Sequence, residues 1–373
     1  MTLTPVPFSS LPGWQVDDHL AAWKAFVASC KPVIKAEKAG NKSGATRPAR
    51  ALLDICASAL QFAASKSQTR AGARNFFETH FEPLSVSQTA SEGLLTGYYE
   101  PLVKGSRVAD ANFQTPLYRR PADLVNVVPE SDRGAKSGAF THMRQTDKGL
   151  SPFPTRAGIE QGALKGQNLE LLYFKDSVDV YFMQVQGSAR VELPGGEQVR
   201  ITYDGKNGYP YTSIGKHLIA TGQITEADMS LKGLAKWLKA DRKRAEQVMW
   251  ENKSYVFFRE LEGSEAEGAM GVLGIQLQPG RSLAVDTSFH AIGTPIYVSS
   301  PSLRHAGKGE GFARLMIAHD AGSAIKGAER GDIFFGSGER AEKIAGVTKH
   351  AGHFFVLQPR DAAAAAVSGA RGQ

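Results

Sequence analysis

Three aspartates in the last hundred residues have the residue type and setting that acid–base chemistry needs. They occur in Leu283-Ala284-Val285-Asp286, in Leu315-Met316-Ile317-Ala318-His319-Asp320 and in Gly331-Asp332-Ile333-Phe334-Phe335. Each stands at the edge of an apolar stretch that reads as a short strand, where packing can strip water from a carboxyl. Desolvation disfavours the charged form and raises the pKa, as a general acid at neutral pH requires. Glycines at 322, 327, 331, 336 and 338 leave room for a bulky substrate against the backbone. A strand-end aspartate also caps turns by accepting backbone N–H bonds, so the residues alone leave both readings open. Lys326, between the second and third aspartates, could hold either one ionised, which would oppose an acid role.

Rival chemistries lack their residues. The chain has no G-x-x-x-x-G-K-[ST] phosphate loop, no H-E-x-x-H zinc helix and no G-x-S-x-G nucleophile elbow. His350 with His353, and His319 beside Asp320, are the histidine pairs worth testing for a metal, but their spacing in a β-like region argues against one. No metal or cofactor is expected. The formal net charge of +7 is spread along the chain, which suits an anionic polymer or simply a mildly basic surface. No apolar run approaches the ~18 residues that a membrane-spanning helix needs.

The elements that must position these groups change character along the chain. Amphipathic helices are expected first, over Asp17–Cys30, Ala51–Ser65 and Ser67–Phe81, with Leu20, Trp23, Phe26 and Val27 on one face of the first. Cys30 and Cys56 fall in these helices and could pair. From Leu94 to about Tyr211 short strands alternate with Gly, Pro and Asn/Asp turns. Strands are expected at Leu171–Phe174, Val178–Val185, Ala189–Leu193 and Gln198–Tyr203, with a hairpin at Pro194-Gly195-Gly196. Helix is expected over Ser213–Ala220 and Leu231–Asn252, where Asp241-Arg242-Lys243-Arg244 reads as a solvated face. A second β segment begins at Ser254, with strands at Val272–Gln276, Leu283–Val285, Pro295–Val298, Arg314–His319, Ile333–Phe335 and Phe354–Leu357. Lys35–Lys42 reads as a basic loop, and the tail Asp361–Gln373 is expected to fray. Met1–Trp14 lacks a basic start followed by an apolar stretch, so no signal peptide is expected in it; the chain is then cytoplasmic or has lost a leader.

The aspartate segment resembles the catalytic region of the membrane-bound lytic murein transglycosylase A family, which is named for three aspartates. Thr96-Gly97-Tyr98-Tyr99-Glu100-Pro101 resembles the family's Thr-Gly-Tyr-Tyr motif. Thr115-Pro116-Leu117-Tyr118 and Thr155-Arg156-Ala157-Gly158 resemble its middle segments. Gln184-Val185-Gln186-Gly187-Ser188 resembles its Gln-x-Gln-Gly-Ser strand, and Tyr203–Gly215 and Asn252–Phe258 also fit. The resemblance therefore spans roughly residues 90–360. It implies a mainly β fold with N-terminal helices: a double-psi β-barrel catalytic domain from residues 1–103 and 253–373, and a smaller inserted β-barrel domain at 104–252, with a glycan groove between them.

The implied reaction cleaves the β-1,4 bond between N-acetylmuramic acid and N-acetylglucosamine in peptidoglycan, leaving a 1,6-anhydro end. Asp332 matches the catalytic acid, and Asp320 and Asp286 match the two supporting aspartates. Thr96, Tyr98, Tyr99, Gln184, Gln186, Gly187, Ser188 and Lys326 are the implied substrate contacts; Gln184, Gln186 and Ser188 would share one polar strand face. The implied partner is a glycan strand and not nucleic acid, and the implied setting is a monomer in the periplasm, associated with the outer membrane. The family's leader and lipid-anchor cysteine are not expected within this sequence, which leaves membrane attachment open. Two rivals remain: an inverting β-glycan hydrolase with Asp320 as its second carboxylate, and a wall-binding module without catalysis.

Overall fold

The computed structural model describes residues 1–39, 50–63, 68–87, 93–128, 140–262, 268–307, 309 and 311–360. The tail after Arg360 lies outside them, and of the expected basic loop Lys35–Lys42 the first four residues are the last turn of a helix, while residues 40–42 lie outside the described ones. Strand β1 (Thr2–Pro5) opens the chain, followed by helices α1 (His19–Lys38), α2 (Arg50–Ala63) and α3 (Arg70–His80). Asp18 caps α1 by accepting from the Ala21 N–H, and Thr69 caps α3 by accepting from the Gly72 N–H. Then come β2 (Phe81–Ser87), β3 (Leu94–Glu100), β4 (Leu102–Ser106), β5 (Thr115–Tyr118), β6 (Leu124–Asn126), β7 (His142–Thr146) and β8 (Gly149–Ser151). One turn, α4 (Arg156–Gly158), precedes β9 (Glu170–Phe174), α5 (Ser177–Gln186), β10 (Ser188–Glu192) and β11 (Gln198–Lys206). Helices α6 (Ile214–Ala220), α7 (Leu231–Ala240) and α8 (Arg242–Glu251) lead to β12 (Val256–Glu260). The last part holds β13 (Ser282–Val285), β14 (Pro295–Ser300), β15 (Phe312–Ala321), β16 (Arg330–Ser337), α9 (Gly338–Ala345), β17 (Lys349–Ala351) and β18 (His353–Pro359).

These strands make a mostly β molecule with flanking helices. The largest sheet has nine strands in the order β1-β2-β18-β14-β15-β13-β16-β3-β17. Only Gly352 separates β17, at one end of that order, from β18, near the other. The sheet therefore curls on itself, and one core collects Val86, Leu95, Leu283, Ile296, Met316, Ile333 and Phe354 from seven of its strands. Gly331 faces this core: a Cβ there would lie 2.7 Å from the Phe354 ring and 2.9 Å from Leu283. Its glycine serves packing, not substrate approach. Among the described residues the pairing does not close into a ring. A six-stranded sheet, β12-β11-β10-β4-β9-β5, and a three-stranded one, β6-β7-β8, form between the two portions of the first. The β10–β11 hairpin turns at Gly195 and Gly196, both with positive φ, as expected.

Several local expectations change. Val178–Val185 is not a strand but most of helix α5. Asp176 caps it by accepting from the Val178 N–H, and Gly187 ends it in the left-handed conformation, donating to Met183 O. The apolar residues alternate because the helix is buried on two sides: Val180 and Met183 join one core, Val178 and Tyr181 another. Val272–Gln276 is a 3-10 turn over Val272–Gly274, with Leu273 at φ 60°. The helix expected over Leu231–Asn252 breaks at Asp241, whose extended backbone and side chain cap α8 through the Arg244 N–H.

The N-terminal helices pack Trp23, Phe26 and Phe77 onto Tyr297, Leu315 and Ile317 of the large sheet. Cys30 and Cys56 are paired, tying α1 to α2. A buried ion pair fixes the segment before α1: Arg281 donates to both Asp17 oxygens, at 2.7 and 2.9 Å, and the Leu315 N–H donates to Asp17 at 2.8 Å. Burial pushes the Asp17 carboxyl up, but the hydrogen bonds and charge of Arg281 outweigh it and hold the pKa below the ordinary value. A depressed carboxylate pKa contributes stability above its unfolded value, and that contribution is lost as pH falls. Asp17→Asn should thus cost about 3 kcal/mol at pH 7, because it strands the Arg281 charge. The gap to the unmodified protein should shrink at about pH 3, below the ordinary carboxylate value of 3.8. Urea denaturation at both pH values tests this; an equal gap at the two would refute it.

Candidate active site

The strand register assembles the site. Asp320 on β15 and Asp332 on β16 both pair with Ala284 of β13, and Asp332 pairs with Thr96 of the parallel strand β3. Asp320, Ala284, Asp332 and Thr96 therefore form one row across four strands. Two residues along the same face, Tyr98 pairs with Phe334, their ring centroids 5.2 Å apart.

Within this row Asp332 is half-buried, and the Thr96 hydroxyl donates to its Oδ1 at 2.7 Å. Burial drives its pKa above the ordinary carboxylate value; the Arg330 charge and the Thr96 hydrogen bond pull the other way without cancelling the rise. The Tyr98 hydroxyl donates to Asp320 Oδ2 at 2.9 Å, and the Ala321 N–H donates to Oδ1. Tyr98 is buried, and desolvation together with the charges of Asp320 and Asp332 raises its pKa far above the ordinary value, so it remains a hydroxyl donor.

Asp286 has a different setting. It lies just past β13, nearly fully buried, where Oδ1 accepts from Ser288 N and Ser288 Oγ and Oδ2 accepts from Gly327 N at 2.9 Å. These bonds fix the turn after β13 and the loop between β15 and β16. The same loop meets the inserted sheet where Lys206 Nζ donates to Ser323 Oγ at 3.1 Å. Lys326, on this loop, is exposed and makes no ion pair with the aspartates among the described residues; the cation beside Asp332 is Arg330.

The other expected contacts separate. Tyr99 lies on the opposite face of β3 from Thr96 and Tyr98, packed against Ala341 and Ala345 of α9. Burial, then the facing Glu342, raise its hydroxyl pKa. Because α5 is a helix, Gln184, Gln186 and Ser188 share no strand face. Gln184 is buried and donates to Val256 O at 3.2 Å. Gln186 accepts from the Tyr99 N–H at 3.1 Å and so ties the end of α5 to β3. Gly187 is the helix cap, and Ser188 begins β10 as a buried residue opposite Thr202. His319 points away from its neighbour Asp320, fully buried with Nδ1 2.7 Å from Ser282 Oγ; desolvation lowers its pKa to about 3. Neither histidine pair belongs to a group of three or more residues able to hold a metal among the described residues.

Residues not singled out from sequence join the two sheets. Glu100, fully buried at the end of β3, accepts from Arg200 Nε at 3.0 Å and Ser337 Oγ at 2.5 Å, with Arg190 3.6 Å away. Its place after Tyr98-Tyr99 and before Pro101, where the chain leaves one sheet for the other, was the available signal. Arg330 carried no such signal beyond adjacency to Asp332.

Residues 94–259 match the family described as "MltA specific insert domain", and residues 281–358 match "3D domain". The membrane-bound lytic murein transglycosylase A of Vibrio cholerae is 35% identical over 71% of this chain and 65% of its own length. The alignment thus spans just under two thirds of that relative. The Escherichia coli protein of the same name is 32% identical over 74% of this chain and 68% of its own. The crystal structure of a membrane-bound lytic murein transglycosylase from Agrobacterium tumefaciens superposes with a TM-score of 0.87 at 33% identity, covering 98% of this chain and 100% of that one.

Removal of the Asp286 carboxylate by alanine should leave the Gly327 N–H unsatisfied and lower stability by about 2 kcal/mol. Asp286→Asn, which keeps an acceptor, should lose less. Thermal melts of the two variants decide it; equal melting temperatures for both and for the unmodified protein would contradict the anchoring role.

Proposed function

Because this chain belongs to the membrane-bound lytic murein transglycosylase A family, we infer that it cleaves the β-1,4 bond between N-acetylmuramic acid and N-acetylglucosamine in peptidoglycan, leaving 1,6-anhydromuramic ends. The observation that carries this reading is Asp332, a carboxyl whose pKa is raised by burial in a row of strand residues that holds a second carboxylate. In the protonated state it donates its proton to the glycosidic oxygen as the bond from that oxygen to C1 breaks. Positive charge then spreads over C1 and the ring oxygen. The resulting carboxylate takes the proton of the muramic C6 hydroxyl as that oxygen bonds to C1. The acid is regenerated and no water is added, so one carboxyl serves both halves. Asp320, held by Tyr98, contributes negative charge toward the oxocarbenium-like state. We assign Asp286 to holding the loop that carries Lys326 toward the groove.

Thr96 and Tyr98 line the Asp332 side of that groove, with Gln186, Gly187, Ser188 and Lys326 at its margins. Tyr99 and Gln184 we assign to packing beneath it, since Tyr99 packs on Ala341 and Ala345 and Gln184 donates to Val256 O. The nine-stranded sheet is read as the double-psi β-barrel of a catalytic domain comprising residues 1–103 and 253–373. Its support is the core shared by seven of its strands and the two parallel pairings, β13 with β15 and β3 with β16. Residues 104–252 form the inserted domain, with β4 and β12 at its margins pairing to its strands. The murein substrate and the membrane-bound relatives support a periplasmic setting at the outer membrane. No helix among the described residues is long and apolar enough to cross a membrane.

Digestion of purified peptidoglycan with mass analysis of the products tests the reaction: glycans lacking the added water are expected, and water adducts would point to an inverting hydrolase. Asp332→Asn should lower kcat about 10³-fold. Since burying this carboxylate opposes its ionisation, the same variant should be at least as stable as the unmodified protein at pH 8. The rate of the unmodified enzyme should fall as pH rises through the raised Asp332 pKa. Turnover by Asp332→Asn near the unmodified level would sink the assignment.

A further inference from the structure

We propose that Arg330 and Thr96 form a positioning pair that fixes the acidic proton of Asp332 on Oδ2, the oxygen left for substrate. This rests on Asp332 being the catalytic acid and goes beyond it by naming what orients the proton. The argument is one of hydrogen-bond accounting. Arg330 Nη2 lies 2.8 Å from Thr96 Oγ1, and Thr96 Oγ1 lies 2.7 Å from Asp332 Oδ1. A guanidinium only donates, whereas a hydroxyl has one proton and two acceptor sites. Arg330 therefore occupies an acceptor site of Thr96, and the hydroxyl proton is directed at Oδ1. An oxygen already receiving a hydrogen bond is the carbonyl-like member of a neutral carboxyl, so the acidic proton resides on Oδ2.

The geometry holds each member of the chain in place. Arg330 is itself tethered through Nη1 to Gly331 O at 2.5 Å. Thr96 is fixed by the parallel register that pairs it with Asp332, and by β17 on its other side, where it pairs with Lys349. The Lys349 side chain turns outward to Glu226, 3.4 Å away. The charged and titratable groups facing Asp332 are thus Arg330 on its own strand and Tyr98 on β3, with Asp320 on β15 behind Tyr98. From β13 the facing residue is the apolar Ala284.

Arg330 and Thr96 do two things to the acid. Both favour the ionised form and so restrain the rise that burial causes. They also keep one rotamer and one proton position, so that no rearrangement precedes transfer. A merely structural role would predict only a loss of stability.

The test compares Thr96→Val, Thr96→Ser, Arg330→Met, Arg330→Lys and the double variant Thr96→Val/Arg330→Met, with Asp332→Asn in the same peptidoglycan digestion assay. Thr96→Val and Arg330→Met should each lower kcat about tenfold with KM little changed. Each also removes a group that favours the carboxylate, so the basic limb of the pH–rate profile should move to higher pH. Thr96→Ser and Arg330→Lys should restore both readouts. The double variant should lose no more than the worse single one, because the two residues act through one chain of hydrogen bonds. A basic limb that stays put in Thr96→Val, or a serine variant no better than valine, overturns the proposal, with folding checked by thermal melts. If Asp332→Asn is inactive in that case, the pairing idea alone has failed; if Asp332→Asn keeps its turnover, the acid assignment has failed first.

Discussion

The parallel pairing of β3 with β16 is the constraint on which the rest depends. It joins residues 236 apart in sequence and sets Thr96 opposite Asp332. Register in a strand pair is all or nothing: a slip by one residue would turn every side chain to the other face. Here it would send Leu95 out of the core and bring Tyr99, now packed under α9, to the face of Asp332. The apolar alternation of Leu95 and Ile333, both fully buried, therefore specifies the position of two polar residues that contribute nothing to the core themselves. Close packing reinforces the register. Gly97 leaves room for the Phe335 ring, which a Cβ would approach within 2.5 Å.

The three aspartates sit in one region yet have three environments, and environment separates their roles. Asp286 is enclosed by donors from two loops, which suits an anchor. Asp320 is held at both oxygens, by a tyrosine hydroxyl and a backbone N–H. Asp332 has one hydroxyl donor, and burial raises its pKa against the offsetting Arg330 charge and Thr96 hydrogen bond. A carboxyl with a raised pKa opposes stability at neutral pH, while Asp17, with its pKa depressed by Arg281, supports it. The fold carries the unfavourable group on β16 and the favourable one just before helix α1.

Much of this was legible in the chain because its signals are local. Short apolar runs bounded by Gly and Asp mark β13, β15 and β16, and the ordered motifs from Thr96 onward tie the distant β3 to them. Helix α5 reads as a strand from sequence because Val178, Val180 and Met183 are buried on two sides, which blurs the helical period. Its decisive signals were the caps, Asp176 and Gly187. Arg330 and Glu100 escaped for another reason. A charged residue beside a motif reads as solvated unless its partner is known, and those partners, Thr96, Arg200 and Ser337, are 100 or more positions away.

The proposed reaction draws its nucleophile from the substrate, so the protein's main task is to hold the muramic C1 near both Asp332 and the sugar's own C6 hydroxyl. Such catalysis depends on positioning more than on added functional groups. That gives a physical sense to the ties between the two sheets. Glu100 is clamped by Arg200 of β11 and Ser337 of β16. Gln186 binds the Tyr99 backbone, and Lys206 reaches Ser323. Glu100 ends the strand that carries Thr96, and Gln186 ends the helix that leads into β10. None of them needs to touch glycan to matter: a shift of one sheet against the other would change the distance between the Asp332 row and the inserted sheet. A buried Glu with two arginines is also a tie with a large penalty for partial opening, since any separation strands charge in a dry interior. The joint at Glu100 thus holds β11 against β3 and β16, and the proposed carboxyl chemistry at Asp332 depends on a residue that takes no part in it.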